Sequence, residues 1–124
     1  MDPIADMIVI IKNGYLAKKG SVLVPYSKFK QEIAKILEKI GYIGPSNKQD
    51  TSLAIQLVYK DGKPKINEIK KVSKAGLRVY TKSKKIKPLK GGKGMYILST
   101  PKGVMTSLEA KKKNLGGEVI CQVW

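Results

Sequence analysis

The stretch SKFKQEIAKILEKIG, residues 27–41, is the strongest constraint this sequence places on its own fold. Ser27 stands where a hydroxyl accepts from the first free amides of a helix, and Gly41 where a left-handed residue ends one. Between them Phe29, Ile33, Ile36, Leu37 and Ile40 recur at helical spacing on one face. An apolar stripe of this kind needs a second layer to cover it. The flanking segments can supply that layer. Upstream, SVLVP reads as a short strand; downstream, LAIQLVY sets Leu53, Ile55, Leu57 and Tyr59 in alternation.

A first helix is expected over residues 3–17, with Pro3 at its first position and Ile4, Met7, Ile8 and Ile11 at helical spacing. Val9 and Ile10 widen its apolar face and predict burial on more than one side. PSNKQDT reads as a polar turn, and Asp61-Gly62 as the turn of a hairpin over residues 53–72. These elements make an N-terminal α/β half over residues 1–72. From Ser73 the composition changes. A turn at Gly76, the strand LRVYT, the lysine-rich KSKKIKPLKGGKG and the strand MYILST follow one another. Thr106 and Glu109 then form a capping box that opens a short helix, and Gly116-Gly117 leads into the strand EVICQVW. The expected fold class is α+β. Two small domains are expected to pack rigidly together, the second, over residues 73–124, being strand-rich with one short helix.

Charge narrows the partner classes. Twenty-five basic residues against nine acidic ones leave +16, a self-repulsion that a polyanion relieves. Nucleic acid is the leading partner. A membrane surface fits less well, because the chain has no uninterrupted apolar span of about 18 residues and no Lys-rich helix with a broad apolar face. Every basic residue except Arg78 is lysine, which leaves a single guanidinium fork for bidentate reading of guanine. Discrimination must then come from shape, hydroxyls, backbone groups and aromatic faces, the vocabulary of RNA recognition. A general coat for DNA or RNA is the rival reading from charge alone.

Catalysis has little material. The chain has no histidine and one cysteine, Cys121, so neither a disulfide within the chain nor a cysteine-cluster metal site is expected, and no cofactor. A reducing compartment and a cytoplasmic location are expected, since MDPIADMIVIIKNG has acids where a secretion signal has bases. Ser99-Thr100-Pro101-Lys102 matches S-x-x-K of certain hydrolases, but it follows a strand rather than opening a helix, and the partner motifs are missing. Gly91-Gly92-Lys93-Gly94 lacks the spacing of a phosphate loop and reads as a turn. Ser99 and Thr100 keep two readings on spacing alone: a turn-forming pair that ends a strand, or hydroxyls set out for recognition.

STPKGVMTSLEA followed by GGEVICQVW closely resembles the C-terminal signature of bacterial ribosomal protein S8, and the likeness runs back through SKAGLRVY, VPYSKFK and DPIADM. The resemblance implies a two-domain, non-enzymatic constituent of the small ribosomal subunit. It binds the central domain of 16S rRNA early in assembly, beside other small-subunit proteins, and some family members also repress translation through their own messenger RNA. Since plastid versions of the family exist, a plastid ribosome is a second possible home. The family pattern sets Ser99 and Thr100 against an irregular minor groove, where A-form RNA is wide and shallow. It gives Lys102 a phosphate and Gly103 a close backbone approach, and it places Tyr80 near the RNA. Gly116 and Gly117 bring backbone close to the loop, and Glu118 orients a hydroxyl or accepts from a base amino group. Cys121, expected on one strand face with Val119 and Val123, packs beneath the site. Lys28 and Lys30 are the expected phosphate contacts of the first half. Two departures stand out. Pro101 replaces a common third serine and removes a hydroxyl and an N–H. Val9 and Ile10 stand where the family often has Thr and Arg, leaving Lys12 as the nearest basic residue of that face.

Overall fold

The structure is a computed structural model that describes residues 2–74, 76–86 and 94–124. Among these, residues 3–67 and 68–124 form two compact units. The chain is α+β.

The first unit runs α1 (Pro3–Leu16), β1 (Ser21–Pro25), α2 (Lys28–Ile40), β2 (Ile43–Gln49), β3 (Ser52–Leu57), β4 (Tyr59–Lys60) and β5 (Lys63–Pro64). Strands β1, β3 and β2 make an antiparallel sheet in that order. Alternation puts Val22 opposite Ile55 and Val24 opposite Leu53, all four buried. Helix α2 ends as its sequence dictates. Ser27 Oγ accepts from the Lys30 amide at 3.1 Å, and Gly41, at φ 96°, donates its own amide to the Leu37 and Glu38 carbonyls. Its fully covered residues are Ile33, Ala34 and Leu37, while Phe29, Ile36 and Ile40 are only partly covered. Truncating Leu37 to alanine in such a setting costs about 2–5 kcal/mol.

Helix α1 buries Ile4, Met7, Ile8, Ile11, Gly14 and Tyr15. Val9 stays half exposed at 52%, so the broad burial expected from Val9 and Ile10 is not found. A Cβ on Gly14 would meet side-chain carbons of Val22 and Leu57, which is why the helix can lie so close to the sheet. Tyr15 closes the unit with its hydroxyl, donating to the Tyr42 carbonyl (3.1 Å) and accepting from the Val58 amide (3.2 Å). Burial raises the pKa of that phenol.

Two sequence expectations fail here for definite reasons. Residues 45–49, expected in a turn, belong to the strand Ile43–Gln49; the turn is confined to Asp50-Thr51. Pro45 is tolerated because β2 is an edge strand whose register shifts between Ile43 and Ser46. The hairpin expected over 53–72 closes at once instead. Asp61-Gly62, both at positive φ, turns only β4 into β5, and the strand Ile69–Lys71 pairs elsewhere.

That strand, β6, belongs to the second unit, which continues with β7 (Tyr80–Thr81), a 3-10 turn (Ser83–Lys85), β8 (Met95–Thr100), β9 (Gly103–Thr106), α3 (Ser107–Lys112) and β10 (Gly117–Val123). The antiparallel sheet has the order β6-β10-β8-β9, and β7 also pairs with β10. Thr106 caps α3 by accepting from the Glu109 amide at 3.1 Å. The Glu109 carboxylate pairs forward with Lys113 at 3.2 Å. Ile86, Leu98, Met105, Ala110 and Val119 form the apolar cluster between sheet and helix.

A bulge in β10 corrects another expectation. Val119 pairs with Leu98, but Cys121 pairs with Ile97, the next residue back. Adjacent residues of β8 face opposite sides, so Cys121 shares a face with Val123 and not with Val119. The strand expected for LRVYT is likewise shortened to Tyr80–Thr81, with Leu77 in an isolated bridge to Lys74. Gly91, Gly92 and Lys93 of the expected glycine turn lie outside the described residues.

Candidate nucleic-acid interface

Register places four side chains in one row across the second sheet. Tyr80 of β7 is opposite Glu118 of β10, Glu118 opposite Ser99 of β8, and Ser99 opposite Val104 of β9. Directly opposed residues share a face, so the row forms a strip with an aromatic ring, a carboxylate, a hydroxyl and an isopropyl group. Tyr80 is 69% exposed. Ser99 and Val104 are partly exposed, and among the described residues the Ser99 hydroxyl has no hydrogen-bond partner. Behind the row on the same face, Cys121 and Ile97 are fully buried. Burial pushes the Cys121 thiol up to about 12 against the weaker opposing pull of Lys71, as befits a packing residue.

Ser99 owes its position to the hairpin beyond it. Thr100 is only 9% exposed, and its hydroxyl is spent inside the turn, donating to the Gly103 carbonyl at 2.7 Å and accepting from the Lys102 amide at 3.2 Å. Thr100 therefore holds the loop and does not present its hydroxyl, unlike the outward role expected for it. Pro101, Lys102 and Gly103 are exposed. Gly103 sits at φ 112° with nothing near the place of a Cβ, so glycine is set by backbone conformation and leaves its peptide open to approach.

The two glycines of GGE act differently. A Cβ on Gly117 would fall on the Ser99 carbonyl oxygen, and one on Gly116 would fall on the Thr81 carbonyl oxygen. They bring β10 against β8 and β7, and this closeness aligns Tyr80, Glu118 and Ser99.

Two contributors went unseen in the sequence. Arg78, the single guanidinium, pairs with Glu118 at 3.2 Å from forty positions away. Ser73 is wholly buried, its hydroxyl accepting from the Val79 amide at 2.9 Å and donating to the Val79 carbonyl at 3.3 Å. It pins the base of the 73–79 loop that carries Arg78. The only signal for Arg78 in the sequence was its solitude among lysines.

In the first unit the expected phosphate contacts separate. Lys28 is exposed, as is Lys12. Lys30 is 6% exposed, and its ammonium donates to the Pro25 carbonyl at 2.8 Å. Its charge serves the β1–α2 connection, so the expectation of a phosphate contact at Lys30 is corrected. Among the described residues no helix is long and apolar enough to cross a membrane.

Comparison with known proteins places these features in context. The family model described as "Ribosomal protein S8" matches residues 2–124. The small ribosomal subunit protein uS8 of Oleidesulfovibrio alaskensis is 45% identical, the match covering 99% of this chain and 98% of that protein. The uS8 protein of Persephonella marina is also 45% identical with the same coverage, and the uS8c protein of Chlorella vulgaris is 43% identical, again with 99% and 98% covered.

Proposed function

The chain belongs to the ribosomal protein S8 family, and on that premise we propose that it binds 16S ribosomal RNA directly and helps the small ribosomal subunit to assemble. The family is one of structural ribosomal constituents, not enzymes. The observation that carries the RNA reading is the row Tyr80–Glu118–Ser99 beside the open Pro101–Gly103 turn.

The row suits an irregular minor groove. Among the described residues the Ser99 and Tyr80 hydroxyls of the row have no hydrogen-bond partner, and Ser99 can donate to and accept from a base edge or a ribose 2′-OH. Tyr80 offers a ring face on which an unstacked base can lie. Glu118 accepts from a base amino group or keeps Arg78 in place. Thr100 fixes the turn so that Lys102 and the Gly103 peptide stand beside Ser99. The exposed lysines, Lys28, Lys12 and Lys102 among them, supply the salt-sensitive attraction. Other small-subunit proteins are its neighbours under this reading. Its own messenger RNA would use the same row and so compete with ribosomal RNA.

The test compares binding to an rRNA hairpin carrying the irregular central-domain site with binding to a perfectly paired RNA of equal length, across a salt series. Preference for the irregular hairpin should persist at high salt, and Ser99→Ala should erode it by about 1–3 kcal/mol as a partner loses its hydrogen bond. Equal affinities with one steep salt slope would make the protein a general coat.

A further inference from the structure

The first unit carries a second charged surface, on the hairpin β4–β5. Residues 60–65, KDGKPK, are exposed throughout. Lys60 and Lys63 are directly opposed partners at the rung beside the Asp61-Gly62 turn. Lys65 lies two residues further along and is tied to the ladder by its amide, which donates to the Val58 carbonyl at 2.9 Å. Strand alternation puts Lys60, Lys63 and Lys65 on one side of the hairpin. None of the three ammonium groups has an ion-pair or hydrogen-bond partner among the described residues. Two like charges set directly across a ladder destabilise it. A rung of this kind is relieved by an anion shared between its two lysines.

The other side of the hairpin is anchored. Tyr59 donates its hydroxyl to the Lys19 carbonyl at 2.6 Å, and its ring meets Tyr15 edge-on with centroids 5.3 Å apart. A two-rung hairpin does not hold itself together in water, so these contacts keep the lysines presented. Successive residues on one strand side lie about 6–7 Å apart, comparable to neighbouring phosphates of a nucleic-acid strand.

We infer that the Lys60–Lys63–Lys65 side of this hairpin is a second RNA-binding surface, gripping the phosphate backbone without reading sequence. The inference rests on the RNA-binding reading above for its choice of polyanion, and an acidic protein segment is the competing occupant. The full-length protein would be compared with Lys60→Gln/Lys63→Gln/Lys65→Gln and with a control, Lys39→Gln/Lys70→Gln/Lys112→Gln, which removes the same charge from exposed positions elsewhere. Affinities for the irregular hairpin and for a perfect RNA duplex are measured from low to high salt. The hairpin variant should make the log–log salt slope shallower by about two to three for both RNAs, the control by less than about one. The preference for the irregular hairpin should stay as in the unaltered protein. Equal slope changes in the two variants would overturn the inference, even with that preference intact. Selective loss of binding to a Glu-rich peptide, with RNA slopes unchanged, would overturn it in favour of an acidic protein segment. Absence of any RNA preference in the unaltered protein would instead count against the row in the second unit, while the slope comparison still judges the hairpin.

Discussion

Gly117→Ala is the sharpest test of the row, because one added methyl group has nowhere to go. The new Cβ would lie on the Ser99 carbonyl oxygen, 2.9 Å from the Ser99 carbonyl carbon and 3.1 Å from Thr100 Cα. All of these are backbone atoms, so no side chain can rotate away and β10 must part from β8. Overpacking against a rigid neighbour costs about 1–3 kcal/mol. A strained or broken ladder bond adds about 0.5–1.5 kcal/mol. The lower chain entropy of alanine returns about 0.4–1 kcal/mol through the unfolded state. The balance is a loss of roughly 2–3 kcal/mol, a large share of the 5–15 kcal/mol typical of a domain. Trp124 directly follows β10 and exchanges hydrogen bonds with Glu68 at 2.9 and 3.0 Å, so its fluorescence in a urea titration follows the second unit. The urea midpoint should fall by about 1 M. Gly20→Ala is the control, since nothing lies within 4 Å of its would-be Cβ, and it should stay within about 0.5 kcal/mol of the parent. If Gly117→Ala unfolded at the midpoint of Gly20→Ala, the close approach of β10 to Ser99 would be refuted, and with it the alignment of Tyr80, Glu118 and Ser99.

Three further outcomes follow from particular bonds. Lys28→Ala should leave stability unchanged and lower the RNA salt slope by about one, whereas Lys30→Met should leave the slope alone and cost about 1–3 kcal/mol in urea unfolding as the Pro25 carbonyl loses its donor. Thr100→Val should destabilise the second unit by about 1–3 kcal/mol and weaken RNA discrimination through the turn; Thr100→Ser keeps the hydroxyl and should restore both. Cys121, with its thiol pushed up to about 12, should resist alkylation of the folded protein at pH 8 and react once urea unfolds it. The sign of its pH linkage is fixed by the same shift. Its contribution to stability is whole below the ordinary thiol pKa near 9.0 and is lost as pH rises towards 12, because the unfolded thiol ionises first. Comparing Cys121→Val with the parent across that range isolates the effect.

Locally encoded features were the legible ones. Helix α2 announced itself because its cap, stripe and terminal glycine lie within fifteen residues, and the Thr106 cap did so for the same reason. The strand over MYILST was likewise legible in its apolar run. What escaped depends on distant partners. Ile69–Lys71 looked like the return strand of a hairpin because Asp61-Gly62 is a true turn signal; its actual partner, β10, lies some fifty residues onward. Residues 45–49 are a proline followed by polar side chains, and only an edge position with a shifted register makes them strand. Lys30 is indistinguishable in sequence from Lys28, yet the first turn of α2 points it back at Pro25. For the site, STPKG was conspicuous, but the division of labour between Ser99 and Thr100 was not: alternation along β8 turns one hydroxyl to the open face and the other into the turn.

The ion pair between Arg78 and Glu118 gives the row an electrical character unlike that of the chain taken as a whole. A chain of +16 draws in any polyanion, but the strip from Tyr80 to Val104, with Arg78 laid on Glu118, carries no net charge. Under the proposed function, capture and judgement then fall to different groups. Lysines, Lys102 at the edge of the strip among them, collect RNA without regard to its shape, and the strip's own residues add no net charge to hold an arbitrary backbone. Only a surface contoured to meet the Ser99 hydroxyl and the Tyr80 ring is held. Every other RNA is left on a loose ionic tether from which it can slide away.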